Sequence, residues 1–254
     1  MPSKGIALVT GAAQGIGRAV ALRLADDGFD VAVNDISANS EHLESLVEEI
    51  QKKGRASSKH IADVSQEEQV KEMVDGVVQT LGGLDVMVAN AGVRGRSGIP
   101  FPEVSTEEWD RIMLINTRGP FLCYKYAAIQ MIKQGRGGRI IGASSIAGKQ
   151  ALAQPHYSAS KFAVRGLTQS AALDLGKHGI TVNAYAPGAV DTTLLVGEDQ
   201  EKADAIRAHF KERSPLKLIG VPEDIANLVS FMASKESQFI TGQSISINGG
   251  LFFD

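Results

Sequence analysis

The chain has 254 residues, 43% hydrophobic and 22% charged, with a formal net charge of -3. That length can bury roughly 70–75% of the unfolded surface in one large domain, and the composition excludes a disordered chain. No Lys/Arg run exceeds two residues, which argues against a nucleic-acid partner, and the lone Cys123 excludes an internal disulfide or a cysteine-rich metal site.

Ile6–Thr10 reads as a buried strand, β-branched and apolar, ended by Gly11. Residues 16–27 read as a helix with Ile16, Val20, Leu22 and Leu24 on its buried face. Strands are predicted at 29–34, 55–61 and 85–89, with helices at 40–53 and 67–81 between them. A long helical region covers 106–134, with an irregular stretch near 116–120. Residues 139–142 begin a fifth strand, 159–178 form a long helix, and 181–186 form a sixth strand. The segment 188–214 shows no strand pattern and reads as a mobile insertion with short helices. A helix at 222–233 and a strand at 244–248 complete the chain. Short apolar strands alternating with helices predict an α/β fold: a single Rossmann-type domain over 1–254, with a parallel sheet of about seven strands covered by helices on both faces.

The opening segment is too short and too weakly apolar for a signal peptide or a membrane span, so a cytoplasmic location without a membrane partner is expected. The five histidines are scattered without metal-ligand spacing, and no metal is expected.

Between the first strand and helix the chain reads TGAAQGIG. Gly11 permits a tight turn, Gly15 lets the backbone approach a phosphate, and Gly17 allows close helix packing. The helix N-terminus then offers N–H groups and a positive dipole end to a pyrophosphate. Asp35 closes the second strand roughly 20 residues later, where a carboxylate accepts hydrogen bonds from an adenosine ribose diol. It would repel a 2'-phosphate, and NDISAN places no cation beside it, so NAD is expected over NADP. Asp63 and Val64 follow strand three, suited to an adenine ring. Asn90, Ala91 and Gly92 follow strand four, at the strand ends where an open sheet binds ligands.

Tyr157 and Lys161, in YSASK, are four residues apart and share a helix face. A nearby ammonium favours phenolate and lowers the tyrosine pKa. A phenol so tuned exchanges a proton with an alcohol or carbonyl oxygen. Ser144 and Ser145 close strand five, and either hydroxyl can polarise a substrate oxygen. Asn116 lies mid-helix in MLINTRG, an unfavourable place for an amide without a task.

These pieces resemble the short-chain dehydrogenase/reductase family over essentially the whole chain: TGAAQGIG, Asp35, Asp63–Val64, NAG at 90–92, Asn116, the serine pair, YSASK, PGAVDT at 187–192 and ITGQSISINGG. The resemblance implies Tyr157 as acid/base and Lys161 as its partner, which also binds the nicotinamide ribose. It implies Asn116 as the holder of a relay water. Gln14, Ile16, Ile36, Pro187, Gly188, Val190 and Thr192 join the implied cofactor contacts. It further implies a homodimer or homotetramer and a substrate lid at about 193–214. The family's serine-to-tyrosine spacing points to Ser144, whereas its S-x-A-G pattern aligns Ser145. Ser145 is favoured, because the strand end constrains a residue more firmly than loop length does.

The segment KFAVRGLTQSAALDLGKHGITVNAYAPGAV resembles acetoin (diacetyl) reductases and butanediol dehydrogenases. A small secondary alcohol or ketone is the expected substrate. A sugar, polyol, steroid or 3-oxoacyl thioester is the alternative under the same mechanism, and substrate specificity is expected to lie in 94–102, 146–156 and 193–214. A dinucleotide-binding regulator without turnover would lack an active group, yet the serine, Tyr157, Lys161 and Asn116 are all present.

Overall fold

The computed structural model describes residues 2–96, 98–197 and 199–253. Ser97, in the expected substrate-end stretch, and Glu198, in the expected lid, lie outside the described residues.

The strands are β1 (Ile6–Thr10), β2 (Asp30–Asp35), β3 (Ser57–Ile61), β4 (Val86–Ala89), β5 (Gly138–Ala143), β6 (Ile180–Pro187) and β7 (Ser244–Ile247). Among the described residues they form one sheet in the order β3-β2-β1-β4-β5-β6-β7. Every pairing is parallel. The helices are α1 (Gly15–Asp26), α2 (Ser40–Lys52), α3 (Glu67–Leu81), α4 (Thr106–Met113), α5 (Gly119–Gln134), α6 (Pro155–Leu175), α7 (Thr193–Val196), α8 (Gln200–Arg213) and α9 (Pro222–Ala233). The predicted α/β Rossmann-type architecture with a seven-stranded parallel sheet is the one observed.

Successive strand residues point to opposite faces, and this divides the core in two. Ala7, Val9, Val31 and Val33 pack with α1, α2 and α9 on one face. Ile6, Leu8, Ala32 and Met87 pack with α3 and α5 on the other. β3 is the exception: its SSKHI sequence is only partly buried, as suits a polar edge strand.

Connections leave β1 toward β2 on one side and β4 on the other. A crevice therefore opens at the C-terminal ends of β1 and β4, where doubly wound sheets bind ligands. A side-chain clamp fixes its floor. Thr10 Oγ1 accepts from the backbone N–H of Asn90 at 3.1 Å and of Ala91 at 3.0 Å. Asn90 Nδ2 donates to the carbonyls of Thr10 (2.8 Å) and Gly11 (3.1 Å), and its Oδ1 accepts from the Tyr185 hydroxyl at 2.8 Å.

One helix boundary departs from the sequence expectation. The helix expected at 159–178 begins earlier, at Pro155, since proline has the helical φ preset and lacks only an N–H that the first turn does not use. Tyr157 therefore sits in its first turn. The irregular stretch expected near 116–120 in the helical region 106–134 is a π-helical turn at Leu114–Arg118 between α4 and α5, which buries Asn116. In the segment read as lacking strands, α7 and α8 form, and a single parallel bridge pairs Val190 with Gly220.

Candidate active site

One cleft of about 770 Å³ runs along the C-terminal edge of the sheet. Every residue expected to hold the cofactor lies on its wall, from the 11–17 turn through Asp35, Asp63 and Asn90 to Pro187 and Thr192. Ser145, Tyr157 and Lys161 line the same cleft. Asn116 does not; it is fully buried behind the wall.

The glycine turn is built for close approach. Gly11 has φ +63°, and a Cβ there would sit 2.8 Å from the Ala91 Cα. A Cβ on Gly17 would run into the Gly11 carbonyl oxygen and the Asn90 amide. The N-cap of α1, Gln14, makes no side-chain cap, so no side chain there competes for the first-turn N–H groups. A pyrophosphate fits this cradle.

Asp35 is held in place by three donors. The backbone N–H of Ala13 reaches Oδ2 at 3.1 Å, and Oδ1 accepts from the Ile36 N–H and the Asn39 side chain, each at 2.9 Å. Asn39 carried no signal of its own in the sequence; its role follows from the turn that brings it back over Asp35. No lysine or arginine lines the cleft at this end. The nearby Arg18 is committed to Glu49.

At the other end the two serines separate. Ser144 Oγ donates to the Lys161 carbonyl oxygen at 3.1 Å and is buried under α6. Ser145 Oγ accepts from the Ala147 N–H at 3.1 Å, and its hydroxyl acts to lower the Tyr157 phenol pKa. The favoured serine, Ser145, is thus the one beside the tyrosine.

Burial raises the Tyr157 pKa above the usual phenol value, offset in part by the Ser145 hydrogen bond and the Arg94 charge. The expected lowering by the Lys161 ammonium is not found in the protein alone. Lys161 Nζ lies 5.5 Å from the Tyr157 ring centroid and donates to the Ala143 carbonyl at 2.9 Å. Burial also lowers the lysine itself to about 8. Desolvation is the largest influence on each of the two groups.

Asn116 fastens the loop after β4. Its Oδ1 accepts from the Val93 N–H and its Nδ2 donates to the Val93 carbonyl, both at 2.8 Å. Nδ2 also donates to Ser160 Oγ at 3.2 Å, and Ser160 Oγ donates to the Tyr157 carbonyl at 2.7 Å. The amide therefore links that loop to the helix turn carrying Tyr157.

Among the described residues there is no cluster of three or more metal-ligating side chains, and no helix is long and apolar enough to cross a membrane.

Residues 11–252 match the family model described as enoyl-(acyl carrier protein) reductase. A short-chain dehydrogenase/reductase of Armillaria gallica is 51% identical over 98% of this chain and 96% of its own length. The 3-oxoacyl-[acyl-carrier-protein] reductase FabG of Staphylococcus epidermidis is 41% identical over 97% of this chain and 98% of its own. Among solved structures, acetoin dehydrogenase YohF of Salmonella typhimurium superposes with a TM-score of 0.87 at 34% identity, covering 99% of this chain and 97% of that one. The chain belongs to the short-chain dehydrogenase/reductase family of NAD(P)-binding Rossmann-fold oxidoreductases.

Proposed function

We propose that the protein interconverts a secondary alcohol and a ketone with NAD as its cofactor. The observation that carries this reading is that Ser145, Tyr157 and Lys161 line the same cleft that begins at the 11–17 turn, with the Ser145 hydroxyl acting on the Tyr157 phenol.

A nicotinamide held in this cleft would supply or accept the hydride. In the reducing direction Tyr157 gives its hydroxyl proton to the carbonyl oxygen, and Ser145 donates a hydrogen bond to the same oxygen. In the oxidising direction the phenol oxygen takes the alcohol proton. Lys161 places a cation beside the site whenever its amine is protonated, and Asn116 holds the Val93 loop that walls the site. The Asp35 carboxylate, with no lysine or arginine lining the cleft beside it and Arg18 paired with Glu49, supports NAD over NADP.

α7 and α8 supply Leu194, Leu195 and Phe210 to the cleft wall and form the substrate lid of a single catalytic domain. Exposed apolar side chains on α5 and α6, among them Phe121, Ile129, Phe162 and Leu173, support a homodimer or homotetramer. A 3-oxoacyl thioester is the second substrate reading, favoured by the FabG likeness; acetoin is favoured by the YohF likeness.

The test is a screen of cofactor oxidation and reduction over ketones, diols, sugars and acyl thioesters, repeated with Tyr157→Phe. That variant is expected to lose about 10²–10⁴-fold in turnover while still binding NADH. Full activity in Tyr157→Phe overturns the reading.

A further inference from the structure

We propose that Arg94 recognises an anionic group of the substrate, a carboxylate carried near the reacting carbonyl on an otherwise apolar ketone or alcohol. This rests on the oxidoreductase reading above and names its substrate class.

Arg94 lines the cleft beside Tyr157, close enough for its charge to be felt at the phenol. Its Nε donates to Gln154 Oε1 at 3.2 Å, and Gln154 is itself buried. No carboxylate among the described residues pairs with Arg94, whereas its neighbour Arg96 is paired with Glu108. A partly buried guanidinium with no counter-charge has unused donors in a fixed fork, the geometry that suits a carboxylate.

The backbone around it is pinned on both sides. Val93 is bound through its N–H and its carbonyl to Asn116. Gly95 packs so closely on the buried His156 ring that a Cβ would overlap it. The Arg96 N–H donates to Glu108 Oε1 at 2.8 Å. Such fastening lowers the ordering cost of using Arg94 for recognition.

The charges along the cleft are sorted. Its two carboxylates, Asp35 and Asp63, stand at the C-terminal ends of β2 and β3, at the adenine end. The opposite end holds Arg94 and, from α8, Arg213, with no acid among its lining residues. Leu152, Leu194, Phe210 and Leu251 give that wall apolar surface beside Gln150, Gln154 and Thr193, which suits a substrate whose body is largely apolar.

The experiment compares matched acids and esters: benzoylformate with methyl benzoylformate, and levulinate with methyl levulinate. Titration calorimetry on the protein–NAD complex reads binding, since ketone and cofactor are then both oxidised and nothing turns over. NADH consumption with the same pairs reads activity. At least one acid is expected to bind about tenfold or more tighter than its ester, with Arg94→Met bringing the ratio to within roughly threefold. Arg94→Lys is expected to keep part of the preference. Esters that bind as well as both acids in the wild type, acids that do not bind, or a preference that survives Arg94→Met would each overturn the proposal; the wild-type comparison needs no variant to fold. Acid preference in binding without turnover of any carbonyl leaves the anion site standing and removes the oxidoreductase reading. Turnover of esters without acid preference does the reverse.

Discussion

Lys161 Nζ donates to the Ala143 carbonyl oxygen at 2.9 Å. A buried ammonium held by one neutral carbonyl recovers little of its lost hydration, and the amine falls from 10.5 to about 8. The folded-state value lies below the unfolded one, so the penalty is complete below about pH 8 and fades toward 10.5. Lys161→Met removes it. At neutral pH the variant is expected to be more stable than wild type, by at most about 3 kcal/mol less the cost of an unpaired Ala143 carbonyl. Denaturant melts near neutrality and at about pH 10 check this; an advantage that does not shrink with rising pH rejects it.

Ser144 and Ser145 are predicted to part in mutants. Ser145→Ala, which removes the hydroxyl that acts on the Tyr157 phenol, is expected to lower kcat/KM by about 10²–10³-fold. Ser144→Ala loses the bond to the Lys161 carbonyl and is expected to cost about 1 kcal/mol of stability, with activity retained within severalfold. Equal losses of activity in the two variants would count against the assignment.

Asp35→Ala removes the carboxylate that lines the cleft at the end of β2. Discrimination between NADH and NADPH is expected to fall by about 10–100-fold, mostly through weaker NADH binding. Fluorescence titration with both cofactors measures it. An unchanged preference in the variant means that the selectivity resides elsewhere.

Asn116→Ala leaves both polar groups of Val93 without their side-chain partner. A stability loss of about 2–3 kcal/mol is expected, which for a chain of this size lowers Tm by roughly 4–12 °C. A thermal melt indistinguishable from wild type would show that the loop does not depend on this amide.

Local sequence determined much of this protein. Strand and helix positions were legible because a period of two and a period near 3.6 are short-range signals. The 11–17 turn, Asp35 and the Tyr157–Lys161 pair were legible for the same reason: their chemistry depends on spacing within one turn or at one strand end. Boundaries were less so, as with the early start of α6 at Pro155.

Tertiary structure alone decided the rest. Ser144 and Ser145 differ in hydrogen-bond partner because α6 passes over one of them, bringing in the Lys161 carbonyl from 17 residues away. Asn116 finds its partner Val93 23 residues away, across a loop that no periodicity describes. The low lysine pKa and the uncompensated Arg94 both depend on what surrounds a charge once the chain is packed. Desolvation and charge pairing act through space, whereas sequence patterns report only what neighbours along the chain can do.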